Sequence, residues 1–424
     1  MINKEQVLWN FANRLRGVVP FYGFSSTAIE LIFMKYMSEF EDVYSPDQFK
    51  SLMAYKNMFI SKKFDPEAVS DVFGIAEDIF KIEKGLFIRT VDNLYKVFVD
   101  RPEYVFEVLN ELDLPKNLDE RIDFIEAILE YGDNKDVSRN NASSTNASLS
   151  KLVNRILDVK TNETFMDCFA GFSKTALRIE SENYIGYELN PEVAAISNMI
   201  MILSGKKLFD IKNQDFYLSQ CHSVADKVLS DGPLAMILSP EQFHVLGEES
   251  KKSDYYNLKC AVDALKENGR AVVTCASGVL FRNDLKKLRE LLTFRNLKAV
   301  IALPALWNFT NIPTNIIVLE NERKGNDVMM INASSTNLVS KTDKRNNILT
   351  EEAIKMIIEA LNGKEIEGFS KNVPTEIILK ANQEQSWVPT HYIESKIELD
   401  FRPSKEVEKE LDSVYKELFG LLNK

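Results

Sequence analysis

The 424-residue chain has few residues of the kinds that hold metals or form covalent staples: three histidines and four cysteines. None of the histidines sits in a zinc pattern, and Cys168, Cys221, Cys260 and Cys275 have neither metal-ligand nor disulfide spacing. A metal site and a disulfide framework are therefore not expected, and the thiols are read as reduced. No apolar run approaches the ~20 residues that span a bilayer, so no membrane role is expected. Positive charge is also in deficit: 52 Lys and Arg stand against 63 Asp and Glu, a net charge of -11. A surface acidic as a whole is no general nucleic-acid binder, so any such role needs a local patch or a partner. The opening Met1-Ile2-Asn3-Lys4-Glu5-Gln6 is not a secretory signal, which with the reduced thiols points to a cytoplasmic chain. What remains, 45% apolar and 27% charged residues, is the composition of a globular protein with a large core.

Three regions separate along the chain. Residues 1–136 carry helical periodicity and few strand signals. Thr27-Ala28-Ile29-Glu30 reads as a capping box opening an amphipathic helix, and the runs 91–98 and 122–129 repeat the 3.6-residue period. The polar stretch Ser138 to Ser150 then marks a boundary. Across 137–340 strands and helices alternate. Strands are expected at 165–166, 184–187, 235–238, 271–275, 299–303, 315–319 and 328–331, and helices at 191–203 and 258–266. Such alternation implies an α/β, Rossmann-like doubly wound sheet with helices on both faces. From 341 to 424 the pattern returns to helix and loop. Val407, Leu411, Val414, Leu418 and Leu421 form a heptad-like seam on the closing helix, an interaction surface or a packing face.

Polar motifs follow the expected strands. Asp167-Cys168-Phe169-Ala170-Gly171-Phe172-Ser173 closes the first and Glu188 the second, about 20 residues on, the spacing between a glycine-containing turn and an acid that accepts ribose hydroxyls. Asp215 would close a third strand, where a carboxylate can accept from an adenine amine. Ser239-Pro240-Glu241-Gln242-Phe243 follows the apolar run Leu234 to Leu238. Each of these acids can also be read as a helix cap. His222 and His244 are not read as catalytic bases, His244 is read as a surface or pocket-rim residue, and Lys286-Lys287-Leu288-Arg289 as a solvated basic face.

Taken in order, these motifs resemble the modification (methyltransferase) subunit of type I restriction-modification systems, a family of adenine-N6 DNA methyltransferases. Asp167 to Leu177 resembles the family's cofactor loop, and Gly186-Tyr187-Glu188-Leu189-Asn190-Pro191-Glu192 its Gly-x-Glu-x-Asn-Pro segment. Further likeness lies in 268–273 with 277–282, in Ile301-Ala302-Leu303-Pro304 with 309–319, and in the helical run 28–38. The resemblance implies S-adenosylmethionine as cofactor, held by Asp167, Ala170, Gly171, Glu188 and Asp215. It implies DNA as substrate, read through a specificity subunit in a multi-subunit assembly or a homodimer. Ser239, Pro240 and Phe243 then stand for the family's (Asn/Asp/Ser)-Pro-Pro-(Phe/Tyr/Trp) loop, which accepts from the amine and stacks on a flipped base. Trp307 and Phe309 would lie at the rim of that pocket, and Arg139 near a backbone phosphate.

The departures cluster at the chemistry. Phe172-Ser173-Lys174 stands where the family has Ser-Gly-Gly and is expected to narrow the cofactor's approach. Ser144-Thr145-Asn146-Ala147 replaces an upstream Phe-Tyr-Thr-Pro, and Glu241 replaces the loop's second proline, with its aromatic one residue late. The expectation is an impaired enzyme or a scaffold that keeps the fold.

Overall fold

The computed structural model describes residues 11–15, 23–41, 45–133, 145–306, 313–341, 347–380 and 386–393. Their strands are β1 (Thr164–Asp167), β2 (Asn183–Glu188), β3 (Phe209–Asn213), β4 (Ala225–Ser230), β5 (Leu265–Ala276), β6 (Leu297–Ala302), β7 (Thr314–Glu320), β8 (Asp327–Asn332), β9 (Val339–Lys341), β10 (Asn347–Leu349) and β11 (Ser370–Pro374). One sheet runs β11-β8-β6-β7-β5-β4-β1-β2-β3, and β9 pairs separately with β10. Pairing is parallel from β3 through β5 and between β6 and β8. β7 runs antiparallel between β5 and β6, and β11 antiparallel on the edge beside β8.

Side-chain alternation divides the apolar residues between two faces. Phe165, Val318 and Met329 enter one core, while their neighbours Met166, Ile317 and Met330 enter the other. The first core continues without a break into the N-terminal helices Phe24–Ser38, Pro46–Ser61, Pro66–Phe80, Val91–Phe98, Pro102–Glu111 and Leu118–Asp133. The helix Pro191–Leu203 lies between these helices and the sheet, and every residue from Ala194 to Leu203 is buried. Local chemistry starts several helices as sequence rules require. Ser45, Asp65 and Asn190 each cap a helix whose first residue is proline. Ion pairs cross the same seam, where Arg178 meets Asp123 and Glu126 at 2.5 and 2.6 Å.

The mixed α/β architecture and the helices expected at 91–98, 122–129 and 191–203 are present. Others differ. Thr27 lies inside its helix, which begins at Phe24 after a left-handed Gly23, so no capping box forms there. The helix expected at 258–266 is Ser253–Asp263, and Lys266 already belongs to β5. The sheet does not end near residue 340, because β11 returns to pair with β8. The strand expected at 235–238 is absent: that stretch is a loop making one bridge, Ile237 to Lys252, and the strand of this region is β4, ten residues earlier. Arg289, expected on a solvated face, is wholly buried and donates to the carbonyls of Val279 and Arg282. Arg139, Trp307, Phe309 and the closing seam 407–421 lie outside the described residues.

Candidate functional site

The chain order reverses between β1 and β4, so a crevice opens at the carboxyl ends of these two strands, the place where doubly wound sheets bind ligands. Asp167 ends β1 and Glu188 ends β2. Ala170 N–H donates to the Tyr187 carbonyl at 2.8 Å, drawing the loop after β1 against β2. The Gly171 amide then donates to Glu188 Oε2 at 3.1 Å, while Asn190 N–H donates to Oε1 at 2.7 Å. Gly171 has φ +50°, and a Cβ there would meet no atom within 4 Å, so its backbone faces open space. A carboxylate offers about four lone-pair sites, so Glu188 keeps acceptor capacity beyond these amides, which suits ribose hydroxyls.

Asp215 follows β3 and caps the turn Phe216–Leu218 through an Oδ1 contact from Tyr217 N–H at 2.9 Å. Its Oδ2 accepts from the Gln242 side-chain amide at 2.6 Å. Burial pushes Asp167 up to about 7, with Asp231 and Glu188 adding to the shift against an opposing Phe169 amide. Glu188 and Asp231 are raised too, chiefly by burial. This end of the sheet is therefore a concentration of acids, suited to a cationic ligand.

Ser239 does not end a strand: it caps the short helix Pro240–Val245 in a capping box with Gln242, with Pro240 in the first turn. The Ser239 hydroxyl accepts from the Gln242 backbone amide, and Phe243 packs against the second core. The residues that follow β4 into the crevice are Asp231-Gly232-Pro233-Leu234. A strand was expected at Leu234 to Leu238 because that is the longer apolar run; Val228-Leu229, followed by an aspartate two residues before a proline, was the available signal for β4. Both Asp231 oxygens are fixed, by Thr145 at 2.9 Å and Thr274 at 2.5 Å. Thr145 thus has a role although its aromatic and proline neighbours are missing. Asn146 takes over the next position by capping the helix Ala147–Leu157 and donating to the Leu306 and Asn347 carbonyls.

The expected crowding by Phe172, Ser173 and Lys174 is also corrected. Ser173 keeps the left-handed backbone that glycine would supply, at φ +53°, and its hydroxyl bonds Tyr184 and Ser197 in the interior. Lys174 is buried 4.0 Å from Glu130, and Phe172 packs against the core shared with the helices. The crevice is instead narrowed by Phe169. Its ring lies 5.4 Å from those of Phe216 and Tyr217, centroid to centroid, and covers Gly232 so closely that a Cβ there would come within 2.3 Å. Gly232→Ala is therefore expected to destabilise the protein by about 1–3 kcal/mol through overpacking. In a Phe169→Ala background the same change should cost little, as denaturant unfolding of the four-member cycle would read. Additive costs would show that the ring and the glycine are not in contact.

Among the described residues no group of three or more His, Cys, Asp and Glu is placed to hold a metal ion, and no helix is long and apolar enough to cross a membrane. His244 is exposed and pairs with Glu248 at 3.0 Å.

Comparison with known proteins agrees with this fold. The family model described as N-6 DNA Methylase matches residues 122–400. A curated relative, the type I restriction enzyme MpnII methylase subunit of Mycoplasma pneumoniae, is 31% identical over 137 residues, 31% of this chain and 25% of that protein, so the match spans about a quarter of the relative. The solved type I restriction-modification methyltransferase subunit from Streptococcus thermophilus has the same fold, with TM-score 0.68 and 21% identity over 92% of this chain and 99% of that one. A solved component of a type I restriction-modification system is similar over 100% of this chain and 98% of its own length, with TM-score 0.67 and 15% identity. With the family match covering more than half its length, this chain belongs to the N-6 DNA methylase family.

Proposed function

We propose that the chain is the modification subunit of a type I restriction-modification-like assembly, cytoplasmic and joined to DNA through a specificity subunit, and that its own adenine-N6 methyl transfer is absent or very slow. The carrying observation is the loop after β4, where Gly232 and Leu234 replace the rigid proline and the stacking aromatic and the Phe169 ring covers the glycine. Methyl transfer needs base and methyl group aligned at about 3–3.5 Å, and a misplacement near 1 Å can cost roughly a hundredfold. S-adenosylmethionine, the cofactor this family implies, meets a partial fit. Gly171 and Glu188 suit its ribose, and the acids Asp167 and Asp231 suit a sulfonium cation. The adenine end does not fit, because Asp215 is already engaged by Gln242.

An acidic subunit suits this role, since a partner that reads the sequence would bring the basic surface that DNA requires. One observation favours retained activity instead: Asp231 directly follows β4, and Thr145 and Thr274 hold both its oxygens in place, as an amine acceptor at this loop would need. The readings separate in a methylation assay with the specificity subunit added and protection from a matched nuclease as readout. We expect no protection on the timescale of a working modification enzyme, and weak calorimetric binding of S-adenosylmethionine. Robust protection would overturn the impaired reading and make Asp231 the working acceptor.

A further inference from the structure

The amide of Gln242 is used at both ends: its carbonyl accepts from Ser239 N–H at 2.8 Å and its NH2 donates to Asp215 Oδ2 at 2.6 Å. An NH2 aimed at this carboxylate has the same donor chemistry as the exocyclic amine of adenine. We propose that Gln242 is an internal stand-in for that amine and the residue that sets nucleoside affinity at this crevice. The proposal rests on the reading above that Asp215 is the adenine-amine acceptor.

Three further features support it. Asp215 Oδ1 is committed to the Tyr217 amide, so Oδ2 is the oxygen left for a ligand, and it is the one Gln242 takes. None of the six residues of the helix Pro240–Val245 is buried, so the element that carries Gln242 has little holding it down. Among the described residues, the partly buried Phe243 and Leu246 side chains and the Gln242 contact with Asp215 attach it to the body. A nucleoside that enters must exchange one amide–carboxylate bond for another. Its net gain at this subsite is therefore close to nothing, although hydrogen bonds to charged groups contribute about 1.5–3 kcal/mol when no competitor is present.

The test is calorimetric titration of the full chain with S-adenosylhomocysteine, which binds as a nucleoside and cannot transfer a methyl group. Gln242→Glu keeps the acceptor that completes the capping box but loses the donor and repels Asp215, so the short helix stays while the contact is lost. Gln242→Ala removes both. Each is expected to bind at least tenfold more tightly than the parent chain. The gain should disappear for a purine analogue with hydrogen in place of the amine, and in Gln242→Ala combined with Asp215→Asn. Thermal melts confirm that every variant is folded. Affinities within twofold of the parent in both variants, with Asp215→Asn still weakening binding, would overturn the stand-in role and leave Asp215 as the acceptor. If Asp215→Asn changes nothing in any background, the adenine-acceptor reading falls and the stand-in role falls with it. No measurable binding by any folded variant overturns the stand-in role as well.

Discussion

Glu30→Gln should make this protein more stable at pH 8.5 by roughly 2 to 4 kcal/mol, while changing little at pH 5. Glu30 lies on the helix Phe24–Ser38 with 2% of its surface exposed, and its Oε2 has no hydrogen-bond partner. Burial, with Glu192 adding, pushes the group from an ordinary 4.5 up to about 8. Between those two values the unfolded chain has released this proton and the folded chain still holds it. Stability then falls as pH rises, by about 1.4 kcal/mol per pH unit for one group. The favourable contribution is complete below the unfolded value and is lost as pH passes the folded one. Asp167, pushed to about 7 by burial, adds a second decline of the same sign over a lower range. Urea unfolding at both pH values reads the difference. If the two proteins trace parallel stability curves against pH, Glu30 is ionised in the folded state and the account is wrong.

Trp387→Ala should cost about 3–5 kcal/mol, a large share of the 5–15 kcal/mol that ordinarily holds a domain together. The indole is fully buried in the second core, its Nε1–H donates to Thr293 Oγ1 at 2.8 Å, and the Trp387 amide donates to the Leu280 carbonyl at 2.7 Å. Removing it leaves a cavity and a buried hydroxyl without that donor. Trp387→Phe restores most of the apolar volume and should recover more than half of the loss. Equal costs for alanine and phenylalanine would show that the hydrogen bond, and not the volume, matters. Denaturant midpoints at one pH settle the comparison.

The sheet was legible where its strands are apolar runs bounded by turns, as at β5, β6, β7 and β8. β4 was not, because Asp226 and Lys227 interrupt it. Their charges are answered by neighbouring chain segments: Lys266 reaches Asp226 at 2.9 Å, and Glu163 reaches Lys227 at 3.4 Å. That compensation is tertiary and leaves no periodic trace. With β4 unseen, the strand was expected at 235–238, and Ser239 was read as the residue that follows it. The places of Glu188 at the end of β2 and of Asp215 just after β3 were legible because an acid at a strand end is a short-range pattern. The orientation of Phe172, Ser173 and Lys174 was not, since a loop's residue types do not say which way its side chains turn. The closing proton of Gln242 on Asp215 joins residues 27 positions apart, a separation no local motif spans.

The unbroken core between the helices and one face of the sheet has a practical consequence for anyone who shortens this chain. A fragment beginning at residue 145 would keep the crevice but strip the cover from Ala194 to Leu203. It would present a contiguous greasy surface to water, larger than soluble monomers ordinarily tolerate. Such a fragment is expected to elute as aggregates in size-exclusion chromatography, and a monodisperse, folded peak would contradict this. The N-terminal helices are in this sense the second half of the sheet's packing, and the smallest piece of this protein that stays in solution includes them.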